Sequence, residues 1–270
     1  MSDEILKNNS EDLFPNEEFK EMVEAGVYYG RRKSKTHPRM KSYVLTNRGG
    51  LEIINLHKTK EGCERVTNFI KEKAREGGLV LFVGTQPAAV GIEDLAKKYG
   101  FPFVIKRWLG GTLTNFKIIS RRVEYYKKLR SNMASGAYDK YTKKERVKID
   151  GEIRRLEELM GGLENLERLP DFIVVIDPSF HHTAVREANR SKIPVVTLAD
   201  VNGDPDGLDY FVVGNNKARK SVQWFLARIE EALNEGRKQM GQSPAKTVGE
   251  VNKVDTKEVK KEAAPAEKSK

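Results

Sequence analysis

The chain of 270 residues contains one cysteine, Cys63, which excludes an internal disulfide and a cysteine-built zinc site. Long apolar runs are missing too. Leu79–Val83 and Phe172–Ile176 are among the longest, and both fall far short of the roughly 20 residues that a membrane helix needs. Residues 1–16 are polar and acidic and lack the apolar centre of a secretory signal. These absences lead us to expect a protein of a reducing, cytoplasmic compartment with no membrane partner. Motifs for small-molecule chemistry are also scarce. Neither the G-x-G-x-x-G nor the P-loop glycine pattern occurs, and there is no Ser/His/Asp elbow. The four histidines do not form a spaced ligand set.

What the chain has is charge, and the charge is segregated. Mean hydropathy is −0.61 and 33% of residues are charged, with a net charge of +10. Between Lys106 and Lys148 thirteen basic residues face three acidic ones, an excess equal to the net charge of the whole chain. Seven further basic residues lie between Arg31 and Arg48 with no acid among them. The remainder is therefore acidic. Segregation of this kind fits a polyanionic partner better than it fits general solubility.

Hydropathy patterns divide the chain into an N-terminal stretch 1–16 expected to be flexible, a folded domain 17–240, and a tail 241–270. The tail is rich in Lys, Glu, Ala and Pro with no aromatic residue, and is expected to be disordered. Within the folded part, Leu51–Leu56, Leu79–Val83, Phe101–Ile105, Phe172–Ile176 and Ile193–Leu198 are expected strands. His57–Glu76, Pro87–Tyr99, Ala184–Arg190 and Asn216–Lys238 are expected helices, the second of them capped by Thr85. Uninterrupted apolar strands alternating with helices predict an α/β fold with a parallel sheet. The region 115–163 breaks the alternation. Phe116, Ile119, Val123, Tyr126 and Met133, then Ile149, Ile153, Leu156, Met160 and Leu163, recur at three- and four-residue steps. This predicts two helices with narrow apolar seams, an inserted antiparallel coiled-coil hairpin. Its turn falls within Ser131–Tyr141, and its second helix starts at the Thr142–Glu145 capping box.

Two kinds of site compete. Asp177, Asp200, Asp204 and Asp206 follow expected strands, where ligands of open parallel sheets bind, and could hold Mg²⁺ for phosphoryl transfer. The same residues also read as Asp-Pro and Asn-Gly turns, and no phosphate loop or positioned base accompanies them. The basic hairpin offers more. Lys117, Arg121, Arg122 and Lys128 would meet phosphates, and Tyr125, off the seam, would be free to stack or hydrogen-bond. The block Tyr29–Lys41, with Arg31, Arg32, Lys33, Lys35, Arg39 and Lys41, lacks apolar periodicity and reads as an extended arm that orders on a partner. Between them stands Arg107-Trp108-Leu109-Gly110-Gly111-Thr112-Leu113-Thr114-Asn115, a junction with a large ring, a glycine pair and hydroxyls at an expected helix start.

That junction resembles a signature of the bacterial small ribosomal subunit protein two family. The resemblance extends, in order, through Glu24–Val27 and the basic arm, Ile53–Leu56, Leu81–Thr85, Leu169–Asp177, Glu187–Asn189 before Ile193-Pro194, and Asp204–Asp206. It covers about 18–237. It implies a flavodoxin-like α/β domain with a projecting coiled-coil hairpin and a structural, non-enzymatic role without cofactor or small-molecule substrate. It also implies binding to small-subunit ribosomal RNA, for which the segregated charge and the junction make Arg31, Arg32, Lys33, Lys35, Arg39, Lys41, Arg107, Trp108, Asn115, Lys117, Arg121, Arg122, Tyr125 and Lys128 the expected contacts. The implied protein neighbours are those of the small subunit, including the large ribosomal protein one, which handles messenger RNA. In one respect the chain departs from the family. Many members carry metal-ligand candidate histidines at two arm positions that are Tyr28 and Arg31 here, so no bound zinc is expected.

Overall fold

Uninterrupted apolar strands can be buried only between two layers, and the structure builds both. The computed structural model describes residues 17–240; the expectations for 1–16 and 241–270 lie outside the described residues. The central sheet is parallel, with strands β4 (Val80–Val83), β5 (Phe103–Val104), β6 (Phe172–Ile176), β7 (Val195–Ala199) and β8 (Tyr210–Val213) in the order β5-β4-β6-β7-β8. Alternate residues of each strand serve opposite cores. Val80, Phe82, Phe172, Val174, Ile176, Val196 and Leu198 face one layer. It is made of α1 (Glu17–Glu24), α2 (Leu56–Arg75), α3 (Ile92–Tyr99) and α7 (Arg219–Met240). Leu81, Val83, Ile173, Val175, Val195 and Ala199 face the other layer, with α6 (His182–Arg190) and the base of the hairpin.

The hairpin consists of α4 (Phe116–Ala134) and α5 (Lys143–Met160). Ile119 and Val123 share a cluster with Met160 and Leu163, while Tyr126 and Leu129 share one with Ile153, the order of an antiparallel pair. The expected capping box forms: Thr142 Oγ1 accepts from the Glu145 N–H at 3.4 Å and the Thr142 N–H donates to Glu145 at 2.9 Å. Where α5 ends, Gly162 lies against the backbone of β5. A Cβ there would fall 2.2 Å from the Phe103 carbonyl oxygen, so only glycine lets the hairpin return flush to the sheet.

Several expectations need correction. The segment Pro87–Tyr99 is not one helix; a 3-10 turn, Pro87–Ala89, is separated from α3 by Val90-Gly91, and Gly91 takes φ 102°. Thr85 caps neither, because its hydroxyl and N–H are engaged by His181. The strand expected over Phe101–Ile105 is reduced to two paired residues, and Leu56 belongs to α2 rather than to the preceding strand. Strand β8 lies in a stretch that carried no expectation, although four apolar or aromatic residues there are bracketed by Asp209 and Gly214. The arm is a strand in its own right. β1 (Tyr29–Arg32) and β2 (Val44–Arg48) flank β3 (Leu51–Ile54) in a three-stranded antiparallel sheet. Met40 and Ile54 seat it on Val201 and Val213, at the carboxyl ends of β7 and β8. Residues 29–41 lack apolar periodicity because β1 is only four residues long, buries none of them and has a shifted register.

Replacing Gly162 by alanine is expected to lower the unfolding free energy by about 1–3 kcal/mol through overpacking against β5. Chemical denaturation measures it. An unchanged midpoint would show that the hairpin base has room to spare.

Candidate nucleic-acid interface

The residues 107–115 fold around one carboxylate. Helix α6 points Ala184, Val185 and Ala188 into the core, and its apolar face also carries Glu187, buried. A carboxylate in that position requires donors, and the junction supplies them. Glu187 Oε1 accepts from Trp108 Nε1 at 3.0 Å and from the Gly111 N–H at 2.8 Å. Oε2 accepts from the Leu113 N–H at 3.1 Å, and from the Thr114 N–H at 3.4 Å and hydroxyl at 3.3 Å. Gly111 takes φ 89°, a left-handed conformation that turns its N–H toward the acid. Gly110 has no such requirement. Burial opposes ionisation of Glu187, but the hydrogen bonds from Trp108, Gly111, Leu113 and Thr114 outweigh it and hold its pKa below the usual carboxylate range. The ring of Trp108 also packs on the core shared by the hairpin base. Trp108, expected among the RNA contacts, is therefore turned inward as an anchor. Nothing in the sequence pattern marked Glu187 as its partner beyond an acid on the apolar face of a short helix.

From this junction α4 leads outward. Lys117, Arg121 and Lys128 recur along one exposed face, with Arg122 and Tyr125 on the adjoining one. Tyr125 is 49% exposed and its hydroxyl reaches Glu152 at 3.3 Å, whereas Tyr126 is fully buried in the seam. Lys127 and Arg130, also basic, are committed to the hairpin itself: Lys127 donates to the Glu164 carbonyl at 2.7 Å and Arg130 pairs with the Glu164 carboxylate at 2.5 Å. By contrast, Arg107, Lys117, Arg121, Arg122 and Lys128 have no carboxylate within ion-pair distance among the described residues. Asn115 is exposed where α4 begins, and its side chain does not cap the helix.

The arm presents a second set. Arg32, Lys33, Lys35 and Lys41 are exposed and without a salt bridge among the described residues. Arg39 is exposed but pairs with Asp206, with Asp204 at 3.9 Å. Arg31 points inward, where its Nε donates to buried Asp200 at 2.7 Å.

The carboxylates at the ends of the strands are engaged elsewhere. Asp177, in a left-handed conformation after β6, accepts from Gln86 Nε2 at 2.7 Å and Lys217 Nζ at 2.6 Å. Burial works against its ionisation; Lys217 and Gln86 prevail and lower its pKa. His181 is buried beside it. Its Nε2 accepts from the Thr85 N–H at 3.2 Å, so the ring is neutral with its proton on Nδ1, facing the Asp177 carbonyl at 3.1 Å. Burial lowers its pKa accordingly. These bonds fill the crevice between the carboxyl ends of β4 and β6, the point where strand order reverses and where open α/β sheets take ligands. The Mg²⁺-dependent alternative is left with carboxylates that already have internal cations. Nor do the residues suit zinc. No group of three or more His, Cys, Asp or Glu side chains among the described residues is arranged to hold a metal, and Asp200 is paired with the Arg31 guanidinium. Cys63 is a buried thiol whose pKa burial pushes up to about 11, an inert core group.

Comparison with known proteins gives consistent results. Residues 22–236 match the family described as Ribosomal protein S2. The small ribosomal subunit protein uS2 of Thermus thermophilus is 42% identical over 219 residues, 81% of this chain and 86% of the relative. The protein of the same name from Dehalococcoides mccartyi is 39% identical over 237 residues, covering 87% and 97% respectively.

The structure predicts that Glu187→Ala, which strands at least four donors, costs on the order of 3 kcal/mol. The stabilisation from Glu187 is full above the ordinary carboxylate range and is lost as the pH falls through its lowered folded-state value. Urea titrations across acid pH should therefore show a shallower dependence for Glu187→Gln than for the parent chain. Parallel curves would refute the role given to this carboxylate.

Proposed function

Since the chain belongs to the ribosomal protein S2 family, we propose that its arm and its helical hairpin are the two surfaces that bind small-subunit ribosomal RNA. The protein is a structural, non-enzymatic constituent of the small ribosomal subunit and acts in translation on the cytoplasmic ribosome. The observation that carries the RNA assignment is the set of exposed cations free of internal carboxylates. Arg32, Lys33, Lys35 and Lys41 lie on the arm; Arg107, Lys117, Arg121, Arg122 and Lys128 lie on the junction and α4. Lys127 and Arg130, by contrast, are engaged within the hairpin, Arg130 by the Glu164 carboxylate and Lys127 by the Glu164 carbonyl. Unpaired cations that recur along one helix suit a phosphate backbone. Tyr125 and Asn115 add exposed groups able to reach sugars or bases. Arg39 would exchange Asp206 for a phosphate.

Protein neighbours need surface of a different kind. Exposed apolar side chains suited to them are Phe180, beyond β6, and Val147, on α5. We assign such positions to neighbouring small-subunit proteins, the large ribosomal protein one among them. Among the described residues no helix is long and apolar enough to cross a membrane.

Replacing Arg32, Lys33 and Lys35 together, or Arg121, Arg122 and Lys128 together, by alanine is expected to weaken binding to small-subunit ribosomal RNA. The slope of log affinity against log salt should flatten by about one unit for every phosphate that is no longer neutralised. Filter binding at several salt concentrations reads both quantities. Unchanged affinity and slope for both triple variants would refute the assignment.

A further inference from the structure

Arg31 is set apart from the other arm cations by an irregularity in β1. Tyr29 stands opposite Ile53 and Arg32 opposite Leu51, so β1 carries one more residue than β3 between these pairs and the register shifts there. Gly30 lies so close that a Cβ would fall 2.9 Å from the Glu52 carbonyl and 3.3 Å from Val201. Arg31 follows, and its Nε meets Asp200 Oδ2 at 2.7 Å. Asp200 is 2% exposed, and its second oxygen accepts from the Val201 N–H at 2.7 Å. The same loop holds the arm at a second point, where the His37 N–H donates to the Val201 carbonyl at 2.9 Å. The Val201 side chain joins Met40 and Ile54 beneath the arm.

We propose that Asp200 is a positioning residue for RNA binding: paired with Arg31 beneath the arm, it fixes β1 so that Arg32, Lys33 and Lys35 face the phosphates. Arg31 itself makes no phosphate contact. The proposal rests on the reading that the arm binds RNA. Its physical basis is preorganisation. An arm already held on the body does not have to be ordered by the RNA, and a buried carboxylate with a single cationic partner makes that hold specific in geometry.

Charge alone predicts the opposite result, which makes the proposal testable. Removing a negative charge beside a basic surface should tighten RNA binding. Positioning requires that Asp200→Asn weaken it, on the order of ten-fold, as ordering of the arm is charged to the complex. Asp206→Asn, which removes an exposed carboxylate from the same loop and frees Arg39, should leave affinity unchanged or raise it. The experiment uses the full chain and small-subunit ribosomal RNA. It measures affinity across salt for Asp200→Asn, Arg31→Ala, Arg31→Lys and the Asp200→Asn/Arg31→Ala pair. Amide exchange of residues 29–36 and 172–176 is followed without RNA. Expected are weaker binding with an unaltered salt slope for Asp200→Asn and Arg31→Ala, partial recovery in Arg31→Lys, and a double variant no worse than the singles. Faster exchange should be confined to 29–36, whereas a merely structural role would raise exchange in β6 as well.

Binding by Asp200→Asn as tight as that of the parent would overturn the proposal. So would exchange raised equally in β6, or a salt slope flattened by about one unit in Arg31→Ala, which would make Arg31 a phosphate contact. If Arg32, Lys33 and Lys35 also prove dispensable for RNA binding, the assignment of the arm fails along with it. If they are needed while Asp200 is not, only the positioning role fails.

Discussion

The buried carboxylate of Glu187 is the constraint on which the rest of the architecture depends. It is an acid on the apolar face of a short helix, and it is tolerable there only because Trp108, Gly111, Leu113 and Thr114 donate to it. Those donors belong to the segment from which the hairpin departs. The direction in which α4 leaves the sheet is thus tied to α6 by hydrogen bonds as well as by apolar contact, which would permit sliding. Gly162, just past the end of α5, secures the base of the hairpin against β5. Two points of attachment, one polar and one steric, give a projecting element a defined angle.

A second consequence concerns what the fold does not do. A parallel sheet of this order offers a ligand crevice between β4 and β6, and this chain fills it with its own side chains. Gln86, Lys217 and Asp177 close one part, Thr85 and His181 another. The antiparallel arm sheet sits over the ends of β7 and β8. The α/β body is thereby a rigid support for two basic surfaces. The polar groups that would perform chemistry in an enzyme of this architecture serve here as internal ties.

Much of this was legible in the sequence. The five-residue apolar run Phe172–Ile176 became β6 with the same limits, because a strand buried on both faces admits no polar interruption. The seam of α4 was legible because Ile119, Val123 and Tyr126 repeat at helical spacing, and the capping box fixed the start of α5. What stayed hidden depended on partners remote in sequence. β1 and β2 are strands only because β3 and Val201 lie beside them, so their own residues carry no alternation. The inward turn of Arg31 falls where the register between β1 and β3 shifts, and a run of basic residues cannot show which one faces Asp200, 169 positions away. Helix Pro87–Tyr99 was overextended because Val90-Gly91 is a mild interruption in an otherwise helical pattern. The acid-centred junction was hidden because Glu187 and Gly111 are 76 residues apart. The motif residues were visible, and the atom that organises them was not.

The central claim is that unpaired cations on the arm and on α4 face RNA phosphates while Arg31 and Trp108 face inward. The most direct measurement is a structure of the small ribosomal subunit carrying this chain. Phosphate oxygens are expected at hydrogen-bond distance, about 3 Å, from Arg32, Lys33, Arg121 and Lys128, with Arg31 still on Asp200 and Trp108 still on Glu187. Those cations facing solvent or protein, or Arg31 swung out onto a phosphate, would contradict it.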